Sequence, residues 1–234
     1  MLKLVLIRHG HTIWNAIGKF QGQSDVALTN EGLDQAYKLA RNFPFKHIDR
    51  LISSDLQRAA DTAQYLSDMF GVRVERDAAF REINFGEWEG MTFEEIEERW
   101  PSEMVNFWRH PSKLQIPGGE TFAQVQARII KRLGEIIDEY EQPHEVVRGE
   151  NIWGKRDPEA NSEGTVLVIV AHGVVVRSII AHYLGITLDY IWRIRQDNTA
   201  LNILRIDGQM VNLELLNSTE HLRAKPKPTY LQYL

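Results

Sequence analysis

The feature that most constrains this chain occurs twice: a short apolar run that ends in a histidine and a glycine. Leu4-Val5-Leu6-Ile7 runs into Arg8-His9-Gly10, and Thr165 to Val170 runs into Ala171-His172-Gly173. Apolar, β-branched runs of this length read as buried strands. A glycine directly behind each lets the backbone turn sharply. Each strand therefore carries a histidine at its C-terminal end, and the first carries an arginine beside it. In open α/β sheets that is where ligands bind. A neutral imidazole is a nucleophile, and a guanidinium holds phosphate oxygens through paired N–H bonds. The combination points to phosphoryl chemistry on histidine. One such motif alone is also consistent with a solvated arginine and a hydrogen-bonded histidine; two strands ending alike are harder to dismiss.

Between and around these strands the pattern alternates strand and helix. A polar loop, Gly18 to Asn30, leads to a helix capped by Thr29 or Asn30 and ending near Asn42. Leu51-Ile52 is a short buried strand. Ser54 or Asp55 is the expected cap of the next helix, which Gly71 ends, and Val72 to Glu75 is expected as another strand. Thr92-Phe93-Glu94-Glu95 is a capping-box pattern that opens a helix ending at Trp100-Pro101. Phe122, Val125, Ile129, Leu133, Ile136 and Tyr140 form a helical stripe. A helix from Val174 to Leu184 follows the second His-Gly. Leu201 to Ile206 and Val211 to Leu216 flank Asp207-Gly208 as a hairpin, loosely spaced for a two-residue turn.

At 234 residues the chain suits one domain, 1–234, with two insertions. The first, about 89–115, is expected to cap the site. The second, about 142–164, is polar and reads as a lid or an association surface, which leaves room for a homodimer. No stretch approaches the ~20 apolar residues of a membrane span, so no membrane partner is expected. No targeting segment is read at the start, which makes a cytoplasmic setting the default. The chain has no cysteine, which excludes disulfides, thiolate metal sites and thiol catalysis. A net charge of −5 argues against general nucleic-acid binding. An anionic substrate then needs a local concentration of basic residues.

Four separated segments can supply it. Arg8-His9-Gly10 is the first. Ser53-Ser54-Asp55-Leu56-Gln57-Arg58-Ala59 is the second, with Arg58 in the first turn of a helix, where backbone N–H groups favour anions. The third runs from Arg81-Glu82-Ile83-Asn84-Phe85-Gly86 to Glu87-Trp88-Glu89-Gly90. The fourth is Ala171-His172-Gly173. In this order, together with Pro117-Gly118-Gly119-Glu120-Thr121, they resemble the landmarks of the histidine phosphatase superfamily, the phosphoglycerate-mutase-like group, over most of the chain.

The resemblance implies a three-layer α/β/α sandwich with a mostly parallel sheet and an antiparallel element near the C-terminus. It implies hydrolysis of small phosphomonoesters through a phosphohistidine, with no cofactor and no metal. His9 resembles the nucleophile. His172 resembles the second histidine, and Arg8 and Arg58 the clamp on the phosphoryl oxygens. Glu82 resembles the general acid, with Glu87 and Glu89 as rivals. Asn15, Gln21 and Gly22 match positions near the substrate phosphate. His11 departs from the family, which commonly has Glu or Gln there; it either widens the cationic pocket or hydrogen-bonds the loop. Arg81 is either a supporting clamp or a solvated residue. The cluster Phe93, Trp100, Phe107 and Trp108 either walls the pocket or belongs to the core.

Three other readings stay open. Cofactor-dependent phosphoglycerate mutase is the rival within the family, but Phe85-Gly86-Glu87-Trp88-Glu89-Gly90-Met91-Thr92 resembles the small-molecule phosphatase branch instead. A non-catalytic protein that binds phosphorylated ligands is the second. The third is a metal site built on His9 and His11, for which only His172 offers itself as a further ligand and which places arginines against a cation.

Overall fold

The structure, a computed structural model, describes residues 1–140 and 164–223. The 142–164 insertion, Gly164 apart, and the Lys225-Pro226-Lys227-Pro228 stretch lie outside the described residues. In chain order the elements are β1 (Leu2–Arg8), α1 (Ile13–Ala16), α2 (Asn30–Arg41), β2 (Arg50–Ser53), α3 (Gln57–Phe70), β3 (Val74–Arg76), α4 (Phe93–Arg99), α5 (Pro101–Arg109), α6 (Phe122–Asp138), β4 (Thr165–Ala171), α7 (Gly173–Tyr183), β5 (Leu201–Asp207), β6 (Met210–Ser218) and α8 (Glu220–Arg223). The strands form one sheet in the order β3-β2-β4-β1-β5-β6. The β3–β2, β2–β4 and β4–β1 pairs are parallel, and β1–β5 and β5–β6 are antiparallel.

The central strands are apolar on both sides because helices cover both faces. Side chains alternate along a strand. Leu4 and Leu6 of β1, with Leu167 and Ile169 of β4, therefore pack with α6 and α7 through Ile129, Leu133, Val175 and Ile179. Val5, Ile7, Val168 and Val170 point the other way, onto Leu39 of α2 and Ala59, Ala63 and Leu66 of α3. The result is the α/β/α sandwich. Truncating a fully buried residue such as Ile169 to Ala is worth about 2–5 kcal/mol, because it removes transfer energy and leaves a cavity. The helix stripe is buried as read at Phe122, Val125, Ile129, Leu133 and Ile136, behind a capping box of Thr121 and Gln124.

Register brings the site together. Arg8 pairs with Ala171, and the His9 N–H continues the ladder onto the Ala171 carbonyl at 2.9 Å. The Ser54 N–H does the same on the other side of β4, onto the Val170 carbonyl at 2.9 Å. The residues that follow β1, β4 and β2 thus meet at one edge.

Three local expectations are corrected. Neither Ser54 nor Asp55 caps α3; its N-cap is Leu56, with no side-chain bond. The Ser54 hydroxyl has turned to His172, and the Asp55 carboxylate is held bidentately by Arg81 at 2.7 and 2.6 Å. The third strand starts at Val74, not Val72, because Ser53 of β2 pairs with Arg76. The hairpin does close on two residues: β5 and β6 each extend one residue further, Asp207 pairs with Met210, and Gly208 takes the positive φ that the tight turn needs.

Candidate active site

His9 is 3% exposed. Its Nδ1 lies 2.7 Å from the Gly10 carbonyl oxygen. A carbonyl can only accept, so Nδ1 carries the proton and Nε2 keeps its lone pair. Burial, then the charges of Arg58 and Arg8, hold the imidazole pKa well below the ordinary histidine value. The ring is therefore neutral at neutral pH, the form a nucleophile needs.

His172 is fully buried, and its ring centroid lies 5.2 Å from that of His9. Its Nε2 is 2.8 Å from the Ser54 hydroxyl, and its Nδ1 has no hydrogen-bond partner among the described residues. Burial, then Arg58, His9 and Arg8, keep it neutral as well.

The two arginines are anchored by main-chain carbonyls. Arg8 donates from Nη1 to Gln196 at 2.7 Å. Arg58 donates from Nη1 to Ser24 at 2.8 Å and from Nη2 to Gly22 at 2.7 Å. Both leave a buried Nε–H without a partner among the described residues. Buried donors normally find acceptors, so two unused cationic ones beside a neutral histidine fit an anionic ligand. Burial lowers the Arg58 pKa to about 10, which leaves it charged at neutral pH.

Of the three glutamates in the 82–89 segment, only Glu82 lines the pocket. Its carboxylate accepts from the Val174 N–H at the start of α7, at 3.2 Å to each oxygen. Glu87 is exposed. Glu89 instead accepts from the N–H groups of Gln23 (2.8 Å), Ser24 (2.9 Å) and Phe85 (3.2 Å), so it staples the 22–24 loop. That explains Gly22: its φ is +53°, and a Cβ there would sit 2.0 Å from Glu89 Oε1. The Pro117-to-Thr121 turn supports the Glu82 loop. Glu120 accepts from the Asn84 N–H at 2.9 Å and pairs with Arg128, which donates to the Glu82 carbonyl at 3.0 Å.

Arg8, His9, Asn15, Gln21, Gly22, Arg58 and Glu82 all line one pocket of about 270 Å³. His172 lies behind it, against His9. Asn15 Oδ1 accepts from the Thr12 N–H at 3.1 Å, and Gln21 Oε1 accepts from the Thr12 hydroxyl at 3.0 Å. Each amide thus keeps its NH₂ for another acceptor. His11 is not brought to the pocket; its ring lies 3.3 Å from the Thr29 hydroxyl and it belongs to the loop. Arg81 is likewise outside, paired with Asp55. The aromatic cluster divides: Phe107 is core, Trp100 is half-buried against it, Phe93 lines the pocket, and Trp108 stacks on Phe93 at 5.6 Å.

Two parts of the site were not read from the sequence. One is the 196–199 loop. Asn198 donates to the His9 carbonyl at 3.0 Å, and Thr199, at φ +54°, donates its N–H to the Arg8 carbonyl at 3.0 Å. The Thr199 hydroxyl meets buried His221 at 3.1 Å. Only a polar stretch before β5 marks this loop in the sequence. The other is Arg177, which lines the pocket from α7. Its signal was available: it is the only charged residue from Val174 to Ala181.

The profile of the histidine phosphatase superfamily (branch 1) matches residues 4–219. The chain belongs to this superfamily. Phosphoserine phosphatase 1 of Hydrogenobacter thermophilus is 29% identical over 222 residues, covering 95% of each chain. Glucosyl-3-phosphoglycerate phosphatase of Mycolicibacterium vanbaalenii is 34% identical over 80% of this chain and 76% of its own. Other relatives carry the name "Probable phosphoglycerate mutase GpmB". The solved structure of Bacillus stearothermophilus YhfR superposes with a TM-score of 0.81, at 27% identity, over 95% of this chain and all of the other. Among these relatives the chain is a phosphomonoester-hydrolysing enzyme for small molecules. No helix among the described residues is long and apolar enough to cross a membrane.

Proposed function

We infer that this histidine phosphatase hydrolyses its substrate in two steps through a phosphohistidine on His9. His9 Nε2 attacks phosphorus, the bond to the ester oxygen breaks, and Glu82 gives that oxygen a proton. Water, deprotonated by Glu82, then attacks phosphorus; the phosphorus–nitrogen bond breaks, releasing inorganic phosphate and free neutral His9. Splitting the displacement in two avoids one difficult step. The Nε–H groups of Arg8 and Arg58 hold the equatorial oxygens, where charge builds up. His172 donates from Nδ1 to the same oxygens, which requires its Nε2 to accept from the Ser54 hydroxyl. The NH₂ groups of Asn15 and Gln21 assist, with Gly22 shaping the loop. The 89–115 segment caps the pocket through Phe93.

The observation that carries this reading is the neutral His9 with its Nδ1 committed to Gly10 and two unused arginine donors beside it. The test is to trap the enzyme in acid-sensitive, alkali-stable phosphorylated form from a labelled phosphomonoester. Label on His9, lost in His9→Ala, is expected; undiminished label in that variant refutes the assignment. Phosphoglycerate mutase is the second reading, supported by the name some relatives carry. An assay of 3-phosphoglycerate with and without 2,3-bisphosphoglycerate separates the two. A cytoplasmic setting and a homodimer are proposals from composition and from the 142–164 segment, open to fractionation and gel filtration.

A further inference from the structure

Phosphoryl chemistry uses two of the three arginines that line the pocket. Arg8 and Arg58 are the charges that act most strongly on His9, and both line the pocket with a buried Nε–H that has no partner among the described residues. Arg177 is held differently. Its Nε donates to the Ile194 carbonyl at 2.7 Å, and its guanidinium lies over the Trp192 ring at 5.3 Å. Those two contacts fix the plane and leave the Nη groups for a ligand. Arg177 has no ion-pair partner among the described residues, although burial is strong enough to lower its pKa to about 10. The charges of Glu82 and Asp197 offset only part of that burial, so a cation held there without a direct ion pair is costly.

The position of Arg177 indicates which part of a substrate it meets. Gly173 leaves open the space a Cβ would fill; that point is 2.9 Å from Arg177 Nη1 and 3.7 Å from Glu82 Oε2. Arg177 therefore stands beside the group that protonates the leaving oxygen. The walls around it, Val174, Trp192 and Phe93, are apolar and suit the carbon skeleton of a small alcohol. A guanidinium fork matches a planar carboxylate oxygen for oxygen. We propose that Arg177 binds a carboxylate on the leaving group, so that the substrates are phosphomonoesters with a carboxylate a few bonds from the ester oxygen. This rests on the His9 and Glu82 roles inferred above.

Two pairs of esters isolate the carboxylate. Phospho-L-serine differs from phosphoethanolamine by that group alone, and 3-phosphoglycerate differs from ethylene glycol phosphate in the same way. The readout is the ratio of kcat/KM within each pair. For the wild type a ratio of about 10–100 is expected, the worth of one charge-assisted bond. Arg177→Gln should bring it to within about threefold of one, and Arg177→Lys, which keeps charge but not the fork, to an intermediate value. A wild-type ratio near one, or an Arg177→Gln variant that loses equally on both members of a pair, overturns the proposal. If Arg177→Gln does not fold, an unchanged ratio in Arg177→Lys overturns it instead. A wild type that forms the phosphoenzyme yet ignores the carboxylate defeats this inference alone. A wild type that forms no phosphoenzyme with any ester defeats the phosphohistidine reading, and this one with it.

Discussion

The ends of β1 and β4 are written almost alike, Arg-His-Gly and Ala-His-Gly, yet the two histidines are wired in opposite senses. His9 commits Nδ1 to a main-chain carbonyl one residue away and keeps Nε2 free. His172 commits Nε2 to the Ser54 hydroxyl, a side chain from another strand's end, and its Nδ1 has no partner among the described residues. A carbonyl dictates the tautomer absolutely, whereas a hydroxyl can donate or accept. The first arrangement fixes which nitrogen carries the lone pair, as the proposed nucleophile requires. The second makes a group whose donor side depends on its partner. On the roles proposed above, the same two-residue motif serves attack at one strand end and oxygen binding at the other.

The strongest way to break this contrast is to exchange alanine at the two positions. His9→Ala is expected to lower kcat by about 10³-fold or more and to abolish labelling, since no other group replaces the nucleophile. His172→Ala should lower kcat by about 10²–10³-fold, the worth of a lost oxyanion donor, while His9 still becomes labelled. Equal loss of label in both, measured by rapid quench on folded protein, would erase the distinction.

Glu82→Gln sharpens it from the leaving-group side. The amide cannot donate a carboxyl proton, so turnover of alkyl phosphates should drop about 10²-fold. p-Nitrophenyl phosphate should suffer less, because its leaving group scarcely needs the proton. Equal losses on the two substrates would assign Glu82 a charge or packing role.

A smaller effect is expected from Ser54→Ala. It leaves the His9 tautomer untouched but releases that of His172, so kcat should fall about tenfold with the phosphoenzyme preserved. No change would mean that the Ser54 hydroxyl does not decide which nitrogen of His172 donates.

The smallest signal lies in stability against pH. His9 and His172 both have folded-state pKa values depressed by burial and by the arginines. The unfolded state, with an ordinary value near 6.5, therefore takes up protons first as pH falls. Their neutral burial costs nothing above about pH 6.5, and each removes up to about 1.4 kcal/mol of stability per pH unit below it. Urea midpoints should decline from pH 7 to pH 5. His9→Ala should flatten that decline, since one proton-binding site disappears from the unfolded state. An unchanged slope would show that His9 is protonated in the folded enzyme.

Much of this was legible because it is local. The His-Gly strand ends, the stripe of α6, the Thr92 capping box and Gly71 at the end of α3 are all dictated by residues a few positions apart. So were the family landmarks at Arg8, His9, Arg58, Glu82 and His172. Only the tertiary structure decided which ends meet. The order β2-β4-β1 sets Ser54 and His9 on either side of His172, and no sequence spacing encodes it. It took Ser54 and Asp55 from their expected capping role, because a histidine from β4 and an arginine from the 80s loop compete for them at short range. It turned His11 away to Thr29 and brought in Arg177 and the 196–199 loop, whose partners lie far off in the chain. The sequence by itself determined which side chains could do phosphoryl chemistry, since that depends on residue type and local backbone. Their nitrogen tautomers, charges and neighbours depend on burial and on distant donors, and those exist only once the sheet has assembled.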